Sequence, residues 1–363
     1  MAAGVDHPDR PLPTLVAGDR FVLNRLLLDA LTNEIGDRLD PRTVELAWPV
    51  EPFGPVAEVQ EAVGTEEQML DLLAGVEVAV TEMAPFTERV LAGASALRLI
   101  VVCRGGPVNV NLTAATARQI PVCYTPGRNA AATAEYAIGL LLAAMRQIAA
   151  GANDLREGIW RGDFYAYDVA GEEIDGKTVG LVGFGAVGAR VAKILRAFGA
   201  EVLVADPYVE PTAVAAVGAR SVPLTEMLPR AQAISLHARL TPETRQIIGP
   251  EEIAQLPRGA VLINTARGGL LDHDALCDAL DSGQLRAAAL DVYDPEPPPP
   301  GSRLFQAPNL VMSPHIAGAS RETAERAAKI AAAEVGRYLR GESLRYVANP
   351  AAIGQGGGWR GNE

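Results

Sequence analysis

Residues 177–206 read KTVGLVGFGAVGARVAKILRAFGAEVLVAD, and this stretch decides the fold. Thr178–Val182 is a short apolar run rich in β-branched residues, the composition of a strand buried on both faces. Gly183, Gly185 and Gly188 then form G-x-G-x-x-G at the point where that strand must turn into a helix. The first glycine permits the tight turn, the second lets backbone approach a pyrophosphate, and the third lets the helix pack close to the sheet. The N-terminus of that helix carries the partial positive charge an anion favours. Ala189–Phe198 has apolar residues at helical spacing, Gly199 stops it, and Glu201–Ala205 forms a second strand. Asp206 closes the second strand, 18 residues past Gly188. A carboxylate there accepts hydrogen bonds from both hydroxyls of an adenosine ribose and repels a 2′-phosphate, so NAD is expected over NADP.

Working outward, 363 residues are too many for one ordinary core and point to two domains. Hydrophobic residues, 48% of the chain, can fill both, and helix and strand patterns alternate as in α/β proteins. The net charge of −12, with no concentrated run of Lys or Arg, argues against nucleic acid or an anionic membrane as partner. Cys103, Cys123 and Cys277 lack C-x-x-C spacing and read as reduced, buried thiols rather than as a metal site. The opening MAAGVDHPDRPLP has no apolar core for a signal peptide, and no uncharged apolar run reaches about 18 residues. A soluble, cytoplasmic protein is expected.

Residues 1–13 read as an unstructured lead-in, and the Gly-rich residues 351–363 as frayed. Strands are expected at Leu15–Ala17, Val44–Trp48, Val76–Val80, Leu99–Val102 and around Val122–Tyr124. Helical patterns at Phe21–Leu31, Glu66–Leu73 and Glu88–Ala92 alternate with them, giving a parallel sheet without a glycine fingerprint. A helix from Ala132 to about Ala150 is apolar nearly all round, which suits burial between domains or at a subunit interface. It reads as the crossing into the second domain. Beyond the fingerprint, strands are expected at Ala231–His237, Ala260–Thr265, Ala287–Val292 and Leu310–Met312, with helices at Pro250–Leu256 and Asp272–Ser282. The long amphipathic helix Ser320–Tyr338 is expected to return to the first domain.

Open parallel sheets bind ligands beyond the carboxyl ends of their strands. Past Ala260–Thr265 stands Arg267, past Ala287–Leu290 comes Glu296, and past Leu310–Met312 comes His315. Each has a plain structural alternative: a surface ion pair for Arg267, a solvated loop acid for Glu296, a satisfied structural imidazole for His315. Together they match alcohol oxidation. Imidazole titrates near working pH and can accept the hydroxyl proton, and a carboxylate beside it raises its pKa. A fixed guanidinium can polarise the developing carbonyl or clamp a carboxylate.

The ordered segments AEYAIGLLLAAMR, GKTVGLVGFGAVG, LINTARGGLLD, ALDVYDPEP and SPHIAG, spread over about residues 70 to 345, resemble the NAD-dependent D-isomer-specific 2-hydroxyacid dehydrogenases. Among these the likeness is to phosphoglycerate dehydrogenase-like members, with no regulatory C-terminal domain expected here. The resemblance implies two doubly wound parallel-sheet α/β domains with a cleft between them. A flavodoxin-like substrate domain would span 14–127 plus 321–348, and a Rossmann NAD-binding domain 128–320. It implies Arg267 as the substrate-orienting arginine, Glu296 as the acid paired with the base, and His315 as the base. Gly183, Gly185, Ala186, Val187, Gly188, Asp206, Ala238, Thr265, Asp291, His315 and Gly318 would contact NAD, and a homodimer would form through the cofactor domain.

Where the family has a glycine loop followed by Asp-Asn-Val-Asp, this chain has Cys103-Arg104-Gly105-Gly106-Pro107-Val108-Asn109-Val110-Asn111, a shorter loop with an added proline. The amides of Gly105 and Gly106 can still bind a substrate carboxylate. Arg104 either reaches a second anion or sugar hydroxyls, or caps its strand. Arg239 stands where the family often has proline. The two arginines suggest a substrate larger or more polar than lactate, such as a sugar acid or a phosphorylated hydroxy acid. The expected activity is hydride exchange between NAD and C2 of a D-2-hydroxy acid, with hydroxypyruvate and glyoxylate among the keto acids considered. An NADH-responsive, corepressor-like binding protein on the same scaffold is the alternative.

Overall fold

The computed structural model describes residues 10–48 and 54–353. The lead-in expected over 1–13 falls outside this range up to residue 9, and the frayed end expected at 351–363 falls outside from 354. Within the range, strand β1 (Leu12–Gly18) begins inside the expected lead-in, and Pro350–Ile353 forms a short 3₁₀ turn. The chain divides into two compact units, residues 1–129 with 319–363, and residues 130–318.

In the first unit β1 pairs in parallel with β2 (Leu39–Glu45) and β3 (Val78–Thr81), followed by β4 (Leu99–Val102) and β5 (Val122–Tyr124). The order β2-β1-β3-β4-β5 puts apolar strands in the middle. Their alternate residues feed two cores: Val78, Val80, Leu99 and Val101 pack on one face, Ala79, Ile100 and Val102 on the other. Continuous burial of this kind is the mark of a parallel sheet covered by helices on both sides. Helix Arg321–Leu339 covers one face together with Asn24–Ile35. Strand β2 lies earlier in the chain than the expected Val44–Trp48. It is an exposed edge strand carrying Asp40, Pro41 and Arg42, and an edge tolerates proline and charge that a central strand does not.

The second unit is a seven-stranded parallel sheet. Its strands are β6 (Thr178–Val182), β7 (Glu201–Ala205), β8 (Arg220–Ser221), β9 (Ala233–Leu236), β10 (Ala260–Asn264), β11 (Leu285–Leu290) and β12 (Leu310–Met312), in the order β12-β11-β10-β9-β6-β7-β8. Helix Ala130–Met145 packs across β10, β11 and β12 and against helix Ala186–Ala197, which accounts for its apolar composition. The single helix expected from Ala132 to about Ala150 is two helices, because Gln147 is left-handed and a second helix, Ile148–Arg156, follows. The break has a local cause. The amide of Glu172 takes the carbonyl of Met145, and a Cβ on Gly171 would lie 2.5 Å from that oxygen. The returning chain therefore occupies the space into which the helix would have continued. Cys103, Cys123 and Cys277 are buried and unpaired.

The alanine stripe Ala324, Ala327, Ala328, Ala331 and Ala332 lets helix Arg321–Leu339 sit close on its layer, and Ala331 is fully buried. Ala331→Leu forces side chains into a filled space. We expect it to lower stability by about 1–3 kcal/mol, seen as an earlier urea midpoint at unchanged slope.

Candidate active site

The carboxyl edge of the seven-stranded sheet gathers the predicted groups. Past β10, the Asn264 side chain holds the next loop from both sides, accepting from the Ala266 amide at 3.0 Å and donating to the Arg267 carbonyl at 2.8 Å. A Cβ on Gly268 would fall 2.0 Å from the Tyr293 carbonyl carbon, so only glycine lets this loop lie against the loop past β11. Arg267 is exposed, and its guanidinium has no carboxylate partner among the described residues. Past β11, Asp291 is fully buried and accepts from Ser313 Oγ at 2.6 Å, the Ile316 amide at 3.0 Å and the Ala317 amide at 2.7 Å. The Tyr293 hydroxyl donates to the Ser313 carbonyl at 2.8 Å, binding the same two loops together.

These contacts shape the turn that carries His315, itself at a left-handed φ of 53°. Its Nδ1 lies 2.6 Å from Glu296 Oε1, while Glu296 Oε2 accepts from the Tyr293 amide at 3.3 Å. Nε2 is left without a hydrogen-bond partner among the described residues. The Glu296 hydrogen bond raises the His315 pKa above the ordinary 6.5, against the opposing effects of burial and the nearby Arg267 charge. Arg267, Glu296 and His315 are thus brought together. The sequence did not single out Asn264, Tyr293 and Ser313, whose part is to hold the loops. No spacing rule marks them, since Asn264 and Tyr293 act on neighbouring backbone and Ser313 on the buried Asp291 carboxylate.

The glycine turn is built as a cradle. A Cβ on Gly183, at φ 98°, would lie 2.6 Å from the Ala238 amide, and one on Gly188 would lie 2.4 Å from the Gly183 carbonyl. Gly185, which caps the helix beginning at Ala186 and Val187, faces open space on its Cβ side. That leaves room for a phosphate at the helix N-terminus. Asp206 accepts from the Phe184 amide at 2.8 Å and the Tyr208 amide at 3.0 Å, which pins its carboxylate to the turn. Thr265 Oγ1 is buried without a partner, as a group awaiting a ligand would be. These residues fit a dinucleotide. Gly318 ends the unit past the His315 turn. His237 Nε2 is also buried and unpartnered, and burial pushes its pKa down to about 4, so that imidazole is neutral.

In the five-stranded unit, Arg104, Gly105 and Gly106 follow β4. Arg104 is ion-paired with Glu61, also donates to the Glu61 carbonyl at 3.2 Å, and passes its own carbonyl to the Thr125 amide at 2.8 Å. The amides of Gly105 and Gly106 have no acceptor among the described residues. The sequence reading also passed over Asp19, Glu82 and Arg128, which stand past β1, β3 and β5; the strand-end rule used for the other sheet would have found them. Arg239, in the seven-stranded unit, is exposed with no carboxylate partner among the described residues.

A parallel α/β unit with a glycine cradle at a helix N-terminus and an acid closing the next strand is a dinucleotide-binding fold. A family model described as "D-isomer specific 2-hydroxyacid dehydrogenase, NAD binding domain" matches residues 138–317. D-3-phosphoglycerate dehydrogenase of Mycobacterium tuberculosis is 39% identical over 328 residues, 89% of this chain and 59% of that protein. Glyoxylate reductase of Korarchaeum cryptofilum is 36% identical over 269 residues, 74% of this chain and 81% of that one. A crystal structure of a Thermus thermophilus protein superimposes with a TM-score of 0.75 at 32% identity, covering 92% of this chain and 99% of the other. The chain belongs to the D-isomer-specific 2-hydroxyacid dehydrogenase family, and its seven-stranded unit is an NAD-binding domain. It spans 59% of the length of the mycobacterial phosphoglycerate dehydrogenase it matches. The corepressor-like alternative gains no support from these relatives.

The pH dependence of the imidazole follows from its partner. A raised pKa means that the His315–Glu296 pairing adds stability below about pH 6.5, and that this is lost as pH rises through the higher folded-state value. The His315 ring resonance should titrate above 6.5 in the native protein and move down in Glu296→Gln, as nuclear magnetic resonance would show.

Proposed function

We propose that the protein is an NAD-dependent oxidoreductase acting on C2 of a D-2-hydroxy acid or the corresponding 2-keto acid. The observation that supports this best is the 2.6 Å contact between His315 Nδ1 and Glu296 Oε1, which leaves Nε2 free beside the Arg267 loop. In the oxidative direction Nε2 accepts the substrate hydroxyl proton. Glu296 stabilises the imidazolium that forms, and in reduction the same atom returns the proton. Arg267 keeps its charge uncompensated, which suits it to the substrate carboxylate and to the C2 oxygen as it becomes a carbonyl. The free amides of Gly105 and Gly106 suit a carboxylate as well. When bound, NAD would supply the hydride acceptor, and Gly183, Gly185, Ala186, Val187, Gly188, Asp206, Ala238, Thr265, Asp291 and Gly318 would hold it.

We further propose a cytoplasmic homodimer that does not bind nucleic acid. Trp160, Tyr165 and Tyr167, on the segment after helix Ile148–Arg156, are 82%, 97% and 95% exposed. Aromatic exposure on that scale suits burial by a second copy. Trp160→Glu should shift the sedimenting species toward the 38.1 kDa single chain.

Absorbance of NADH, followed over a panel of D-2-hydroxy and 2-keto acids, tests the activity. His315→Ala should reduce kcat by about 10² to 10⁴ with NAD affinity nearly unchanged. Normal turnover in that variant removes His315 from the role of base. Asp206→Ala should erode the preference for NAD over NADP in the same assay.

A further inference from the structure

Three charged side chains at the carboxyl edge of the five-stranded unit are left unused by the mechanism above. Its strand order reverses between β1 and β3, where an open parallel sheet forms its crevice. Asp19 follows β1 and Glu82 follows β3, and they are 1% and 4% exposed. Asp19 Oδ1 accepts from the Phe21 and Val22 amides, both at 2.8 Å, and Glu82 Oε1 accepts from Arg128 at 2.6 Å. Asp19 Oδ2, Glu82 Oε2 and Arg128 Nη1 are buried with no hydrogen-bond partner among the described residues. Burial pushes Glu82 up to about 7 and Asp19 upward too. Arg128 Nη1 is thus a buried donor without an acceptor among the described residues. The guanidinium of Arg128 lies 5.5 Å from the Phe21 ring centre, and Trp48, 38% exposed, stands 6.3 Å from that ring.

We propose that this edge receives the chain of a polyhydroxylated 2-hydroxy acid and discriminates against a phosphorylated one. The inference rests on the hydroxy-acid reading above and adds the substrate class. Its ground is charge. Arg104 is neutralised by Glu61, and Arg128 by the Asp19–Glu82 pair. Neither Arg104 nor Arg128 is therefore a spare cation for a phosphate dianion, which would face Asp19, Glu82 and Glu61. A hydroxyl both donates and accepts, so it can take the free N–H of Arg128 and give its own hydrogen to Glu82. The faces of Phe21 and Trp48 suit the C–H bonds of such a chain.

Calorimetric titration of the full chain saturated with NADH tests this without turnover, since a hydroxy acid and NADH are both already reduced. The probes are D-2-hydroxybutanoate, the trihydroxybutanoate that adds two hydroxyls, and the terminal phosphate ester of that acid. We expect the trihydroxy acid to bind about tenfold or more tighter than either of the others. Glu82→Gln and Glu61→Gln each remove a charge that neutralises a guanidinium, and should raise the affinity of the phosphate ester relative to the trihydroxy acid by about tenfold. Glu61 is half exposed, so its variant tests the idea even where Glu82→Gln disturbs folding. The inference is overturned by equal or tighter binding of the phosphate ester to the native protein, by no binding of any of the three acids, or by an unchanged ratio in the variants. Failure of hydride transfer registers in the NADH absorbance assay instead.

Discussion

The position of the imidazole depends on one buried carboxylate. Asp291 is fully removed from water, where an ionised group survives only with donors around it. It has three, Ser313 Oγ and the amides of Ile316 and Ala317, and together they fold residues 313–317 into a turn. That turn holds His315 in the left-handed region, which costs a residue with a Cβ about 1–2 kcal/mol. A hydrogen bond to a charged acceptor contributes about 1.5–3 kcal/mol, so the three outweigh that cost. The imidazole is then fixed with one nitrogen on Glu296 and the other free.

A parallel sheet makes this arrangement possible, because every strand delivers its carboxyl end to the same edge. Proximity alone does not lock the loops. Gly268 does so by lying in contact with the backbone of Tyr293 and Asp294, and Tyr293 does so by reaching the carbonyl of Ser313. Arg267, Glu296 and His315 therefore belong to one rigid edge although they stand up to 48 residues apart in the chain.

What was legible in the sequence was what the backbone itself requires. The glycines of residues 183–188 could be read because backbone occupies the place of the missing side chain at Gly183 and Gly188. Arg267, Glu296 and His315 could be read because each follows an apolar strand. Strand β2 was misplaced because an edge strand need not be apolar, and Pro41 and Arg42 hide it. The break at Gln147 was invisible because its cause, the approach of Gly171, lies 24 residues further on. Asp19, Glu82 and Arg128 each follow a strand and were open to the same rule, but their joining into one buried cluster is a product of folding. Asp291 was expected by resemblance to contact NAD; the structure adds its work on the His315 turn.

The arginines also differ in a way that composition conceals. Arg104 and Arg128 have carboxylates against them, so each contributes hydrogen-bond geometry with little net field. Among the described residues the Arg267 guanidinium has only the Ala266 carbonyl, at 2.6 Å, and its charge remains available. Its effect is already visible on His315, whose pKa it pulls down while Glu296 raises it. An anion bound by Arg267 would cancel that downward pull and leave the Glu296 effect in place. Binding of a carboxylate should then make the neighbouring imidazole a stronger base, so that ligand charge and base strength are coupled through one guanidinium.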